Sequence, residues 1–182
     1  CAVLCNDARL SDAPGGAISG DPTEAALLVA ARKAGVREEA TRAEWTRLDV
    51  VPFDSQVMYM ATLDACGQRR VVHLKGSLEQ VLARCDLSPA RADAARRAVE
   101  ALAARGLRVL AFAARPVEVS LQVAVEVSVG DALEVSVEAL TATSASGFEL
   151  LGLVGMIDPP RAEAVEAVRA CQAAGIVVKM IT

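Results

Sequence analysis

Aromatic side chains are scarce in this chain, with three Phe, one Tyr and one Trp in 182 residues. A core of stacked rings is thereby excluded, and aliphatic residues must do the filling, since hydrophobic residues still make up 53% of the sequence. Histidine is scarcer still. His73 stands alone and none of the five cysteines forms a C-x-x-C pair, so a Cys/His metal site has no basis in the sequence. The odd set Cys1, Cys5, Cys66, Cys85 and Cys171 reads as buried free thiols of a reducing compartment. Basic runs are missing and the net charge is −4, which removes nucleic acid from the expected partners. The longest apolar stretches, such as Leu150 to Ile157, fall far short of the roughly 18 to 20 residues of a membrane helix, so the chain as it stands is expected to be soluble. An initiator Met and a signal peptide are also lacking, and Cys1 opens in mid-pattern; the expectation is a piece of a longer chain.

What is there centres on Val71-Val-His-Leu-Lys-Gly-Ser-Leu-Glu79. The spacing predicts a strand ending at Lys75, a turn at Gly76 and a helix starting at Ser77, with Ser77 and Gln80 as a capping box. A lysine at a strand end, a glycine permitting close approach and free helix N–H groups together favour an anionic ligand, phosphate above all. The plainer alternative is a strand-to-helix connection with a solvated lysine. Upstream, Gly20-Asp-Pro-Thr-Glu-Ala-Ala-Leu27 predicts a helix with Asp21 as N-cap, Pro22 at N1 and Glu24 at N3, running to about Ala34 and stopping at Gly35. Glu24 is either a cap or a fixed carboxylate at a pocket rim. Phe53 is either core packing or a ring at a pocket mouth.

Cys1 to Asn6 reads as a helix end or short strand, and Ser11 to Gly20 as a loop. Strands are predicted over Trp45–Val51, Met58–Leu63, Val71–Lys75 and Leu107–Ala114, and helices over Leu78–Cys85 and Ser88–Arg105. Val117-Glu-Val-Ser, Val125-Glu-Val-Ser and Leu133-Glu-Val-Ser recur every eight residues and read as an extension of the sheet. Beyond Gly147 the pattern changes to strand Glu149–Ile157, a helix to about Ala174 and strand Ile176–Ile181, which predicts a parallel βαβ unit. The expected division is therefore 1–148 and 149–182.

Five blocks in order, Gly20-Asp-Pro-Thr-Glu-Ala-Ala-Leu27, Pro52-Phe-Asp-Ser55, Leu74-Lys-Gly-Ser77, Gly106-Leu-Arg-Val-Leu-Ala111 and Gly152-Leu-Val-Gly-Met-Ile-Asp-Pro-Pro-Arg161, resemble the cytoplasmic nucleotide-binding region of the type II P-type ATPases. The resemblance implies an α/β (α+β) fold: an antiparallel sheet flanked by helices, followed by a βαβ piece of the Rossmann-like, haloacid-dehalogenase-like phosphorylation domain. It implies an ATP site in which adenine stacks on Phe53 and is contacted by Glu24, Lys75 and Gly76 line the pocket, and Arg108 meets the phosphates. Asp158, Arg161 and Thr182 fall on the hinge and phosphate side. The expected ligands are ATP and the Mg²⁺ that travels with it, and the expected partners are the remaining phosphorylation, actuator and transmembrane domains of a cation pump, calcium-type by default. The setting so implied is the cytoplasmic part of an integral membrane protein.

The departures matter as well. The phosphorylated aspartate of D-K-T-G-T would precede Cys1, and Thr182 corresponds to the Thr of the T-G-D magnesium motif, so no catalytic or metal-ligating residue is assigned and this piece alone is expected to be catalytically incomplete. Ser77 replaces the usual Ala of the K-G-A block, and Met58 stands where the family usually carries lysine. The rival reading is a regulatory or binding module on the same fold without nucleotide affinity. A haloacid-dehalogenase-like hydrolase is disfavoured because no D-x-D-x-T-like nucleophile is present.

Overall fold

Apolar patterning sets the sheet, and side-chain caps start four of the six helices among the described residues. The computed structural model describes residues 1–11, 18–117, 136–142, 146–158 and 160–179. Residues 2–4 form a hydrogen-bonded turn, closed by Cys5 N–H to the Cys1 carbonyl, in place of the expected helix end or strand. Strands β1 (Arg9–Leu10) and β2 (Ile18–Ser19) pair as a small ribbon at the two ends of the stretch read as loop. Helix α1 (Pro22–Lys33) starts and stops as predicted: Asp21 accepts from the Thr23 and Glu24 N–H groups, and Gly35, at φ 81°, takes the left-handed position just after the C-cap Ala34.

Helix α2 (Glu38–Glu44) has no side-chain cap and no counterpart in the sequence reading. Its support is tertiary: buried Glu38 pairs with Arg42 at 3.3 Å, and Arg42 donates to the carbonyls of Asn6 and Ala8. Then follow β3 (Thr46–Asp54), β4 (Tyr59–Cys66), β5 (Arg69–Gly76), α3 (Leu78–Leu82), α4 (Pro89–Ala103), β6 (Arg108–Pro116), α5 (Val137–Thr141), β7 (Glu149–Met156) and α6 (Ala162–Ala173). Ser77, Ser88 and Ser136 cap α3, α4 and α5 through their side-chain oxygens. Helix α3 is shorter than expected. The octad repeat lies mostly outside the described residues; its last part is helix α5, not strand.

The five strands β3 to β7 form one antiparallel sheet in chain order. β7 therefore closes this sheet against β6, with Arg108 opposite Met156, instead of opening a parallel βαβ unit. After α6, residues 176–179 carry no strand. The physical reason is that Leu150, Leu153 and their neighbours pack on the same core as β4 to β6, which an apolar run alone does not reveal. The division expected at 148/149 thus has one sheet running across it.

One face of the sheet carries the core. Tyr59, Ala61 and Leu63 of β4, Val72 and Leu74 of β5, and Ala111 and Ala113 of β6 pack under Leu78 and Val81 of α3, Ala95 of α4, Val137 of α5 and Phe148. The opposite face of β4 and β5 is polar and buried. Thr62 donates to Asp64 at 2.6 Å, His73 Nδ1 lies 2.9 Å from the same Asp64 oxygen, and Trp45 stands edge-on to the His73 ring. Residues 1–8 and α1 cover this face. All five cysteines are free, but only Cys5 is fully buried, where loss of solvent pushes its thiol pKa up to about 12.

Gly76 is fixed by close approach. A Cβ there would sit 2.5 Å from the Met58 carbonyl oxygen and 2.7 Å from Tyr59 Cβ. Gly76→Ala is expected to cost about 1–3 kcal/mol through forced backbone separation. The check is the urea midpoint at constant m-value; a loss under about 0.5 kcal/mol would show that the two backbones part freely.

Candidate functional site

A cleft of about 480 Å³ opens where the N-terminus of α1, the end of β5 and the start of β6 meet the turn between β3 and β4. Its walls include Glu24, Phe53, Lys75, Gly76 and Arg108, the five residues singled out for nucleotide binding, although they are spread over 85 positions of sequence. Asp21, Thr23, Met58, Ser77, Val109 and Leu110 complete it. The size suits a small organic ligand.

Phe53 reaches this wall because β3 is an edge strand with an irregularity. The register of β3 against β4 shifts between Val51 and Asp54, and Pro52, which has no N–H to give a ladder, falls inside that shift. The strand continues through Asp54, past the predicted end, and Phe53 is left 60% exposed. The other two phenylalanines, Phe112 and Phe148, are buried, so core packing is the fate of those two and not of Phe53. Met58, expected to begin a strand, sits in the turn before β4 with φ 54°.

Lys75 is not a solvated lysine. It is 5% exposed, and its Nζ is hydrogen-bonded to Glu24 Oε1. Glu24's second oxygen accepts from the backbone N–H groups of Asp7 (2.9 Å) and Ala8 (3.1 Å). In a capping box Glu24 would reach back to the N–H of Asp21; here it bonds to the N-terminal segment instead. That segment is itself held firmly. Asn6, fully buried, donates to the carbonyls of Ala2 and Glu24 and accepts from Ala8 N–H, while Arg47 donates to the carbonyls of Leu4 and Asn6. Sequence reasoning missed Asn6 and Arg47; an asparagine directly after Cys5 in an apolar opening was the available signal.

Arg108 is exposed at the rim and donates to Thr23 Oγ1 at 3.3 Å. Asp21 contributes a charge close by. Burial works against its ionisation, but hydrogen bonds from the Thr23 side chain and from the N–H groups of Glu24 and Thr23 outweigh that and hold its carboxyl below the ordinary value. The cleft wall therefore holds two carboxylates and two cations among its described residues, a near-neutral balance. Asp158 and Arg161 lie in the exposed connection from β7 to α6 and do not line the cleft; Thr182 lies outside the described residues.

The five-stranded antiparallel sheet flanked by helices defines an α+β fold. The family model described as "P-type ATPase, cytoplasmic domain N" matches residues 1–163. The chain belongs to this family. It is 42% identical over 190 residues to Cation-transporting ATPase pma1 of Synechocystis sp., with 99% of this chain and 19% of that protein covered. It is 39% identical to Probable cation-transporting ATPase F of Mycobacterium tuberculosis (97% and 19% covered) and 30% identical to Calcium-transporting ATPase 1 of Lactococcus lactis (99% and 20% covered). The chain thus spans about a fifth of the length of these relatives. None of the helices among the described residues is long and apolar enough to cross a membrane.

The Glu24–Lys75 pair should behave as a unit. Lys75→Met strands a buried carboxylate and is expected to cost about 3–5 kcal/mol, whereas Glu24→Gln with Lys75→Met should lose clearly less than the sum of the single changes. A double-mutant cycle from urea melts measures the coupling; additivity within about 0.5 kcal/mol would mean the two charges do not depend on each other.

Proposed function

We propose that this chain is the ATP-binding part of a P-type cation-transporting ATPase, and that the cleft bounded by Phe53, Lys75 and Arg108 receives the nucleotide. The observation that carries the reading is the exposed Phe53 ring in the wall of a cleft that Gly76 and Arg108 also line. A purine offers a flat face for the ring, and Gly76 lets β5 lie close against the Met58–Tyr59 backbone, which forms that part of the wall. Arg108 is the accessible cation for a phosphate. The fit is by shape and charge: about 480 Å³ is room for a nucleoside, and the near-neutral wall leaves most of a triphosphate's charge to be met elsewhere.

The relatives' names carry the rest. They are cation-transporting and calcium-transporting ATPases, so the parent of this chain is proposed to transfer the γ-phosphoryl group of MgATP to an aspartate outside these residues and to couple that to ion transport, calcium being the default ion. Mg²⁺ arrives with the nucleotide and neutralises phosphate charge. What these residues do is hold and orient the base so that the phosphates project toward the partner domains, namely the rest of the phosphorylation domain, the actuator domain and the transmembrane domain. Asp158 and Arg161, exposed after the last strand, are proposed to form the hinge on that side, with Thr182 beyond it. The working division then falls after β7, at 157–161, instead of at 148/149, because the sheet is continuous up to Met156.

Phe53→Ala tests the reading. Stacking contributes on the order of 1 kcal/mol beyond buried area, so ATP, ADP and AMP should each weaken by a similar factor of about fivefold or more in calorimetric titrations. Unchanged affinities with an intact fold would place the base elsewhere. Absence of binding in the unaltered chain would favour the nucleotide-independent module.

A further inference from the structure

Met58 has an unusual backbone for a bulky residue. Its φ of 54° lies in the left-handed region, which long side chains seldom adopt, and it is the non-glycine residue with positive φ among those described. Three contacts hold it there. Its N–H donates to the Asp54 carbonyl at 2.7 Å, its carbonyl accepts from Ser77 N–H at 3.0 Å, and Gly76 presses so closely on that carbonyl that a Cβ has no room. Gln56 N–H, bonded to Asp54 Oδ1 at 2.6 Å, tightens the same turn. The turn thereby delivers a thioether to the cleft wall that also carries Phe53, with Met58 44% exposed. An exposed methionine held in a strained conformation by three independent contacts is poorly accounted for by packing alone, since it contributes little to the core.

The charges nearby point the same way. Lys75 is engaged by Glu24 and Asp21 is ionised at the head of α1, which leaves the phosphates to Arg108, itself hydrogen-bonded to Thr23 at the exposed edge of the cleft. The grip on a ligand must then come mainly from its uncharged end. We infer that Met58 is a specificity-determining residue of the cleft: with Phe53 it forms an apolar clamp on the ring and sugar of the ligand, making recognition depend on the nucleoside and little on the phosphates. This rests on the nucleotide reading above. The thioether is polarisable and flexible, which suits contact with a heteroaromatic edge.

The test uses the unaltered chain, Met58→Ala and Met58→Leu, titrated with adenosine, AMP and ATP at low and high salt, together with the ¹³C-methyl methionine spectrum. Met58→Ala should weaken all three ligands by the same factor, about two- to tenfold, at both salt concentrations. Met58→Leu, which keeps an apolar body, should recover at least half of that loss. Adenosine should shift the Met58 methyl signal by ring current while that of buried Met60 stays in place. A loss confined to ATP, no loss in a variant that melts like the unaltered chain, or an unmoved Met58 methyl at saturating adenosine would each overturn the inference; should Met58→Ala fail to fold, the leucine variant and the methyl signal decide. If the unaltered chain binds ATP but the Met58 arms fail, the clamp is wrong and the nucleotide reading survives. If it binds none of the three, the nucleotide reading itself falls and takes the clamp with it.

Discussion

The buried contact between Glu24 and Lys75 is the constraint on which the rest of this structure depends. It ties the first turn of α1 to the end of the central strand β5, across 51 residues of sequence, on the polar face of the sheet. Two ions removed from water are costly unless every lone pair and proton finds a partner. Here the carboxylate is completed by two backbone N–H groups from residues 7 and 8, and those residues are positioned by Asn6, Arg42 and Arg47. Covering the second face of the sheet, placing α1 at the cleft and occupying the lysine are therefore one arrangement. Loosening any of them exposes a charge.

That arrangement also decides what kind of site the cleft is. Since the lysine is occupied, the wall presents a nearly neutral surface with Phe53 as its most exposed large apolar group. Phe53 owes its position to the edge strand: Pro52 can sit there because an edge tolerates a missing donor, and the register shift around it turns the ring away from the core. The same turn forces Met58 into its left-handed conformation, and Gly76 is the residue that lets β5 come close enough to lock it. Sheet edge, bulge and close glycine thus work together to put apolar groups where a ligand meets them.

The sequence made local features legible. Asp21, Ser77 and Ser88 cap their helices as the patterns predict, because a cap is decided within four residues. The residues of the cleft wall were legible through their motifs and the family resemblance those motifs carry. What stayed hidden is non-local. Glu24 fits a capping box by spacing, yet its partners lie 16, 17 and 51 positions away. Helix α2 has weak signals of its own and exists through Glu38, Arg42 and the carbonyls of the N-terminal segment. β7 reads identically as the first strand of a parallel unit or the last strand of an antiparallel sheet, since an apolar run does not state its neighbour. The helix at 137–141 replaced an expected strand because Ser136 caps it and Val137 enters the core.

The most direct test of the account is where the base of a bound nucleotide lies. Intermolecular nuclear Overhauser effects from adenine H2 and H8 of ATP, collected on the labelled chain, report this without any mutation. The account predicts cross-peaks to the Phe53 ring and to groups of the Gly76–Ser77 wall, with none to the exposed Val177 and Val178 near the end of the described chain. Cross-peaks from adenine to those valines, with the Phe53 ring silent at saturation, would contradict it.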